Sequence, residues 1–100
     1  MALPETSAIP IRGPAERIRV LIAEDEPAVR SALADLLASD PAVDVVGMGA
    51  DADEAIALAR ETLPDVALVD VKMPAGGGPR AARGVHEVSP YTRVIALSAY

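Results

Sequence analysis

The stretch Ile18-Arg19-Val20-Leu21-Ile22-Ala23 is a short, β-branched and almost unbroken apolar run that stops at three acids, Glu24-Asp25-Glu26. Such a run suits a strand covered on both faces, as in a parallel sheet; a strand with one wet face alternates apolar and polar residues instead. The pattern returns at Val66-Ala67-Leu68-Val69, which terminates in Asp70, and again at Arg93-Val94-Ile95-Ala96-Leu97-Ser98. Val43-Asp44-Val45-Val46-Gly47 is the remaining candidate strand, second in chain order.

Helical patterns separate these runs. Pro27 suits a first helical turn, and Val29, Leu33, Leu36 and Leu37 recur at helical spacing until Ser39-Asp40-Pro41, which predicts an amphipathic helix. Asp51 with Glu54 forms a capping-box pattern ahead of Ala55, Ile56, Leu58 and Ala59, so a second helix runs to about Leu63 and is broken by Pro64-Asp65. Lys72 to Gly78 reads as a glycine-rich loop, and Pro79 opens a third helix through Arg83 to Val88, closed by Ser89-Pro90.

Strands alternating with helices imply right-handed crossovers and an α/β, doubly wound parallel sheet. Ligands of such sheets gather outside the carboxyl ends of the strands, where strand order reverses. Glu24, Asp25, Asp70 and Ser98 all fall at that edge. In strand order 2-1-3-4 the first and third strands are neighbours, and the three carboxylates converge. Like charges so placed call for a cation, and a hard divalent ion with oxygen ligands, magnesium above all, is the usual partner. The arrangement also suits phosphoryl transfer, with Asp70 as nucleophile, Glu24 and Asp25 holding the ion, and Ser98 bonding a phosphoryl oxygen.

The bulk properties bound these expectations. One hundred residues leave room for one domain, read here as residues 18–100, with residues 1–17 a Pro- and Gly-bearing flexible leader. A formal net charge of -6 repels phosphate backbones, so nucleic-acid binding is expected only through another domain. Zero cysteines exclude a disulfide framework and fit a reducing compartment. No apolar run approaches a membrane span and no signal-peptide pattern precedes the first strand, so a cytoplasmic location without membrane contact is expected. His86 reads as a surface residue, Glu26 as a solvated acid near the helix start, and Tyr91 and Tyr100 as partly buried packing residues, Tyr100 also standing near enough to Ser98 to shield the pocket.

Three motifs in order, Val20-Leu21-Ile22-Ala23-Glu24-Asp25-Glu26-Pro27, Asp65 to Pro74 around Asp70, and Val94-Ile95-Ala96-Leu97-Ser98-Ala99, resemble the receiver domains of two-component response regulators. The resemblance implies a flavodoxin-like (CheY-like) fold and a phosphoacceptor, without other enzymatic activity, that takes its phosphoryl group from a sensor histidine kinase. Carried over residue by residue, it implies Asp70 as the phosphorylated residue, Asp25 and Asp70 as direct Mg2+ ligands, Glu24 acting through water, Lys72 giving its backbone carbonyl, and Ser98 as switch hydroxyl. The Leu97-Ser98-Ala99 ending is similar to the LuxR/NarL-type subgroup, which implies transcriptional output through a DNA-binding domain absent from this sequence.

The match also departs from the family. Receivers continue through a fifth strand bearing a lysine that contacts the phosphoryl group, and no residue here corresponds to it. The domain is therefore expected to be C-terminally incomplete, leaving the fourth strand as an apolar edge that favours homodimerisation or other self-association. Gly76-Gly77-Gly78 stands where the family more often has a larger residue, which predicts a mobile loop. The missing lysine keeps open a pseudo-receiver that binds partners without phosphorylation. A haloacid-dehalogenase-like phosphatase would need an Asp-x-Asp at the first strand, which Glu24-Asp25-Glu26 does not supply.

Overall fold

The computed structural model describes residues 16–98, so the expectations for residues 1–15 of the leader and for Tyr100 lie outside the described residues. The elements are β1 (Ile18–Ala23), α1 (Pro27–Ala38), β2 (Val43–Gly49), α2 (Ala52–Thr62), β3 (Val66–Asp70), α3 (Gly77–Val88) and β4 (Arg93–Leu97). The strands form one parallel sheet, as the alternating pattern predicts, in the order β2-β1-β3-β4 expected of a flavodoxin-like fold. Its register sets Ala23 beside Val69 and Asp70 beside Leu97, so the ends of β1, β3 and β4 lie along one edge.

Alternation along the strands sends side chains to two faces. Leu21, Ala23, Ala67 and Val69 meet Ala52, Ala55 and Ala59 of α2 and Ala81 and Val85 of α3 in one continuous buried core. Residues this small allow the helices to sit close on the sheet. Gly84 of α3 lies directly over the Ile56 side chain, so the two helices also touch closely.

On the opposite face, among the described residues, α1 packs chiefly against β1 and β2. The helix forms where its periodicity predicts, yet none of its residues is fully buried: Leu36 is 70% exposed and Val29 39%. Ile95 of β4 is 48% exposed on the same side. β4 is an edge of the four-stranded sheet among the described residues.

Local chemistry explains the helix ends. Asp51 caps α2 by accepting from the Glu54 N–H at 2.8 Å, and Glu54 reaches back to the Ala50 N–H at 2.7 Å, one residue before the usual capping-box target. α2 ends on Leu63 in the left-handed region at φ 46°.

Two expectations are corrected. Gly77 and Gly78 are not loop: α3 starts at Gly77, and both glycines are buried in its first turn. A Cβ on Gly78 would lie 2.6 Å from the Val71 Cα and 2.9 Å from the Asp70 carbonyl oxygen, so the turn packs directly against the end of β3. Pro79 then falls inside the first turn, where its missing N–H has no intrahelical partner to lose. Tyr91 is 97% exposed, not partly buried. Ser89 and Thr92, both buried, share a 2.6 Å hydrogen bond and Thr92 donates to the Pro64 carbonyl at 2.6 Å; this anchors the turn from its backbone side and leaves Tyr91 outside.

Candidate functional site

β1 delivers Glu24 and Asp25 to the carboxyl edge because its apolar residues are locked between two helical layers, Leu21, Ile22 and Ala23 being wholly buried. β3, paired to β1 in parallel, delivers Asp70 to the same edge. One carboxylate oxygen from each of Glu24, Asp25 and Asp70 lies within 4.8 Å of the other two. The convergence predicted from strand order is therefore present.

The three acids differ in setting. Glu24 is 6% exposed and accepts the Glu26 N–H at 3.1 Å, while its own N–H donates to the Gly49 carbonyl at 3.0 Å. Burial holds its carboxyl above the usual glutamate value; the Glu26 N–H opposes that shift, and the neighbouring Asp70 and Asp25 reinforce it. Asp25 and Asp70 are half-buried, and Asp70 accepts the Lys72 N–H at 2.9 Å, which folds the following loop back over the strand end.

The acids open into a cleft of about 480 Å³, whose lining also includes Lys72, Leu97 and Ser98. Ser98 directly follows Leu97, the β4 partner of Asp70, and the Val71 N–H donates to the Leu97 carbonyl at 3.1 Å, so serine and aspartate stand at adjacent strand ends. All five residues singled out from the sequence, Glu24, Asp25, Asp70, Lys72 and Ser98, border this one cleft. His86 is exposed on α3 and takes no part in it.

Sequence reasoning missed two features. Val29 and Leu33 of α1, read only as part of the helix's apolar periodicity, form an apolar wall of the cleft. Arg30 donates from Nη1 to the main-chain carbonyls of Glu24 at 2.8 Å and Asp25 at 3.4 Å. Every residue has a carbonyl, so nothing in the sequence marks these two as arginine acceptors.

The donor set is made of hard oxygen ligands around an excess of negative charge, and one of its acids resists ionising. A small divalent cation fits it: oxygen ligands on two neighbouring strand ends, an open side for further ligands, and charge that a dication neutralises. The same cleft, with a hydroxyl across from a carboxylate, has room for a tetrahedral anion.

Residues 20–100 match the family described as the response regulator receiver domain. The chain is 37% identical over 83 residues to the DNA-binding transcriptional activator DevR/DosR of Mycobacterium tuberculosis, covering 83% of this chain and 38% of that protein. It is 40% identical over 78 residues to a protein-glutamate methylesterase/protein-glutamine glutaminase of Geobacter metallireducens, covering 78% of this chain and 22% of that protein. Among solved structures, the signal receiver domain of the response regulator NarL from M. tuberculosis superposes with a TM-score of 0.77 at 36% identity, over 85% of this chain and 68% of that one. The chain thus spans about two fifths or less of the length of the curated relatives it matches.

Proposed function

From the premise that this chain belongs to the response regulator receiver domain family, we propose that it is a phosphoryl-accepting signalling switch modified on Asp70 in a magnesium-dependent reaction. The observation that carries this reading is the meeting of Glu24, Asp25 and Asp70 within 4.8 Å, in a cleft that also holds Ser98.

Asp25 and Asp70 would hold Mg2+ directly, Glu24 through a water, and Lys72 through its backbone carbonyl. Bound there, the ion would neutralise the acids and draw charge from the oxygens of an incoming phosphoryl group. The chain's own part is positioning. An oxygen of the Asp70 carboxylate attacks phosphorus in line; the O–P bond forms as the P–N bond to a donor phosphohistidine breaks, and the departing imidazole takes up a proton. The Ser98 hydroxyl, at the neighbouring strand end, donates to a phosphoryl oxygen of the product. A new bond between Asp70 and Ser98 through that group links β3 to β4 and shifts the population of conformations at the open edge.

The donor is a sensor histidine kinase, and the location is the cytoplasm; among the described residues no helix is long and apolar enough to cross a membrane. DNA contact and transcriptional output belong to a domain outside this segment, as the likeness to DevR/DosR and NarL supports. Self-association through the open apolar side of β4 completes the set of partners. The matched methylesterase is only 22% covered, so no esterase activity is assigned to this segment.

The rival to this reading is a receiver domain that binds partners without being phosphorylated. Incubation with Mg2+ and acetyl phosphate or beryllofluoride, followed by intact mass and peptide mapping, separates the two. An adduct on Asp70, absent from Asp70→Asn, supports the switch. Protein that stays unmodified supports the phosphorylation-independent module.

A further inference from the structure

Arg30 sits at the end of the first turn of α1, and its guanidinium turns back onto the loop that carries two of the three clustered acids. A cation near a helix N-terminus opposes the helix macrodipole, so α1 itself gains nothing from it. What the side chain does instead is bind the carbonyls of Glu24 and Asp25 from one nitrogen, in a half-buried position. Those carbonyls belong to the residues whose carboxylates enter the cleft.

The rest of the loop is lightly restrained. Glu26 stands at the N-cap without a side-chain cap bond, and Pro27 offers no N–H. The Glu24 N–H is tied to Gly49 and the Glu26 N–H to the Glu24 carboxylate. Arg30 supplies the hold on the carbonyl side. It binds main-chain oxygens, so it fixes where the carboxylates point without competing for them.

We propose that Arg30 is a positioning residue for the divalent cation: by clamping the Glu24 and Asp25 carbonyls it presets the loop in the geometry the ion needs. This rests on reading the acidic cleft as a magnesium site. The sign of the effect is diagnostic. A guanidinium close to a cation site repels the ion, so by Coulomb's law alone its removal tightens binding. Loss of a group that orients ligands weakens it, by about 10 to 100-fold in comparable outer-shell cases.

The test is isothermal titration of Mg2+ into the wild-type chain, Arg30→Met and Arg30→Lys at constant ionic strength, with circular dichroism and metal-free melting curves alongside. The expected result is a dissociation constant for Arg30→Met at least about tenfold above wild type, with an unchanged spectrum and melting curve. Arg30→Lys, which keeps the charge and one donor, recovers part of the affinity. Unchanged or tighter binding by a folded Arg30→Met overturns the proposal while leaving the magnesium site intact. Absence of binding by the wild type instead overturns the site reading on which it rests. Should Arg30→Met fail to fold, Arg30→Gln takes its place under the same threshold.

Discussion

Asp25 follows β1 and Asp70 ends β3, yet their carboxylate oxygens lie within 4.8 Å of each other because the two strands are paired in parallel with Ala23 beside Val69. The sheet therefore spends stability to hold like charges together. Asp70→Asn removes one of them and should stabilise the chain in metal-free buffer by on the order of 1 kcal/mol. Urea unfolding in the presence of EDTA measures this; a variant less stable than wild type would contradict it.

Glu24 gives this strain a pH dependence. Its carboxyl is held above the ordinary value of 4.5 in the folded chain, mainly by burial, so the folded state keeps its proton to higher pH than the unfolded state. Its contribution to stability is fully present below 4.5 and is lost as pH rises through the raised folded value. Metal-free melting temperatures should fall across that window, and Glu24→Gln should flatten the fall. Magnesium needs the ionised form, so its stabilising effect should grow over the same interval, as melts with and without the ion would show.

The α3 contacts predict an order of cost. At Gly78 an added methyl meets the Val71 backbone at 2.6 Å and the Asp70 carbonyl at 2.9 Å, atoms that cannot move without shifting the end of β3. At Gly84 it meets the outer atoms of the Ile56 side chain, which can rotate away. Gly78→Ala should lose about 2 to 3 kcal/mol and Gly84→Ala about 1 kcal/mol. Gly78→Ala should also weaken magnesium binding, because the backbone it displaces carries Asp70. Denaturant midpoints and metal titrations of the two variants check the order.

Leu63 ends α2 at φ 46° with its side chain 58% exposed. The left-handed conformation costs an L-residue about 1 to 2 kcal/mol, more than the roughly 0.5 to 1 kcal/mol of chain entropy a glycine gives up. Leu63→Gly should therefore raise stability by about 0.5 kcal/mol, read as a higher melting temperature with no change in metal affinity.

The central elements were legible because burial on both faces leaves a direct mark: the apolar runs of β1 and β3 end at the acids that face the cleft, and their parallel pairing follows from the helices between them. The boundaries of β1 and α1 agree with the sequence reading; β2 runs two residues further, to Gly49. What escaped depends on packing between segments. Gly77 and Gly78 carry a local signal for loop, and only the close approach of Val71 makes them the buried start of a helix. The hydrophobic ring of Tyr91 suggests burial, but the Ser89–Thr92 anchor decides otherwise. Arg30 carries a charge typical of a helix surface, and its acceptors are backbone atoms that the sequence does not distinguish.

Calorimetric titration of Mg2+ into wild type, Asp25→Asn and Asp70→Asn tests most directly whether acids from two strands share one ion. A shared pocket requires one equivalent bound by the wild type and a loss of affinity of at least about tenfold in each variant alone. Wild-type affinity in Asp70→Asn, with Asp25→Asn impaired, would mean that β3 contributes nothing to the metal and would contradict the phosphoryl-switch assignment.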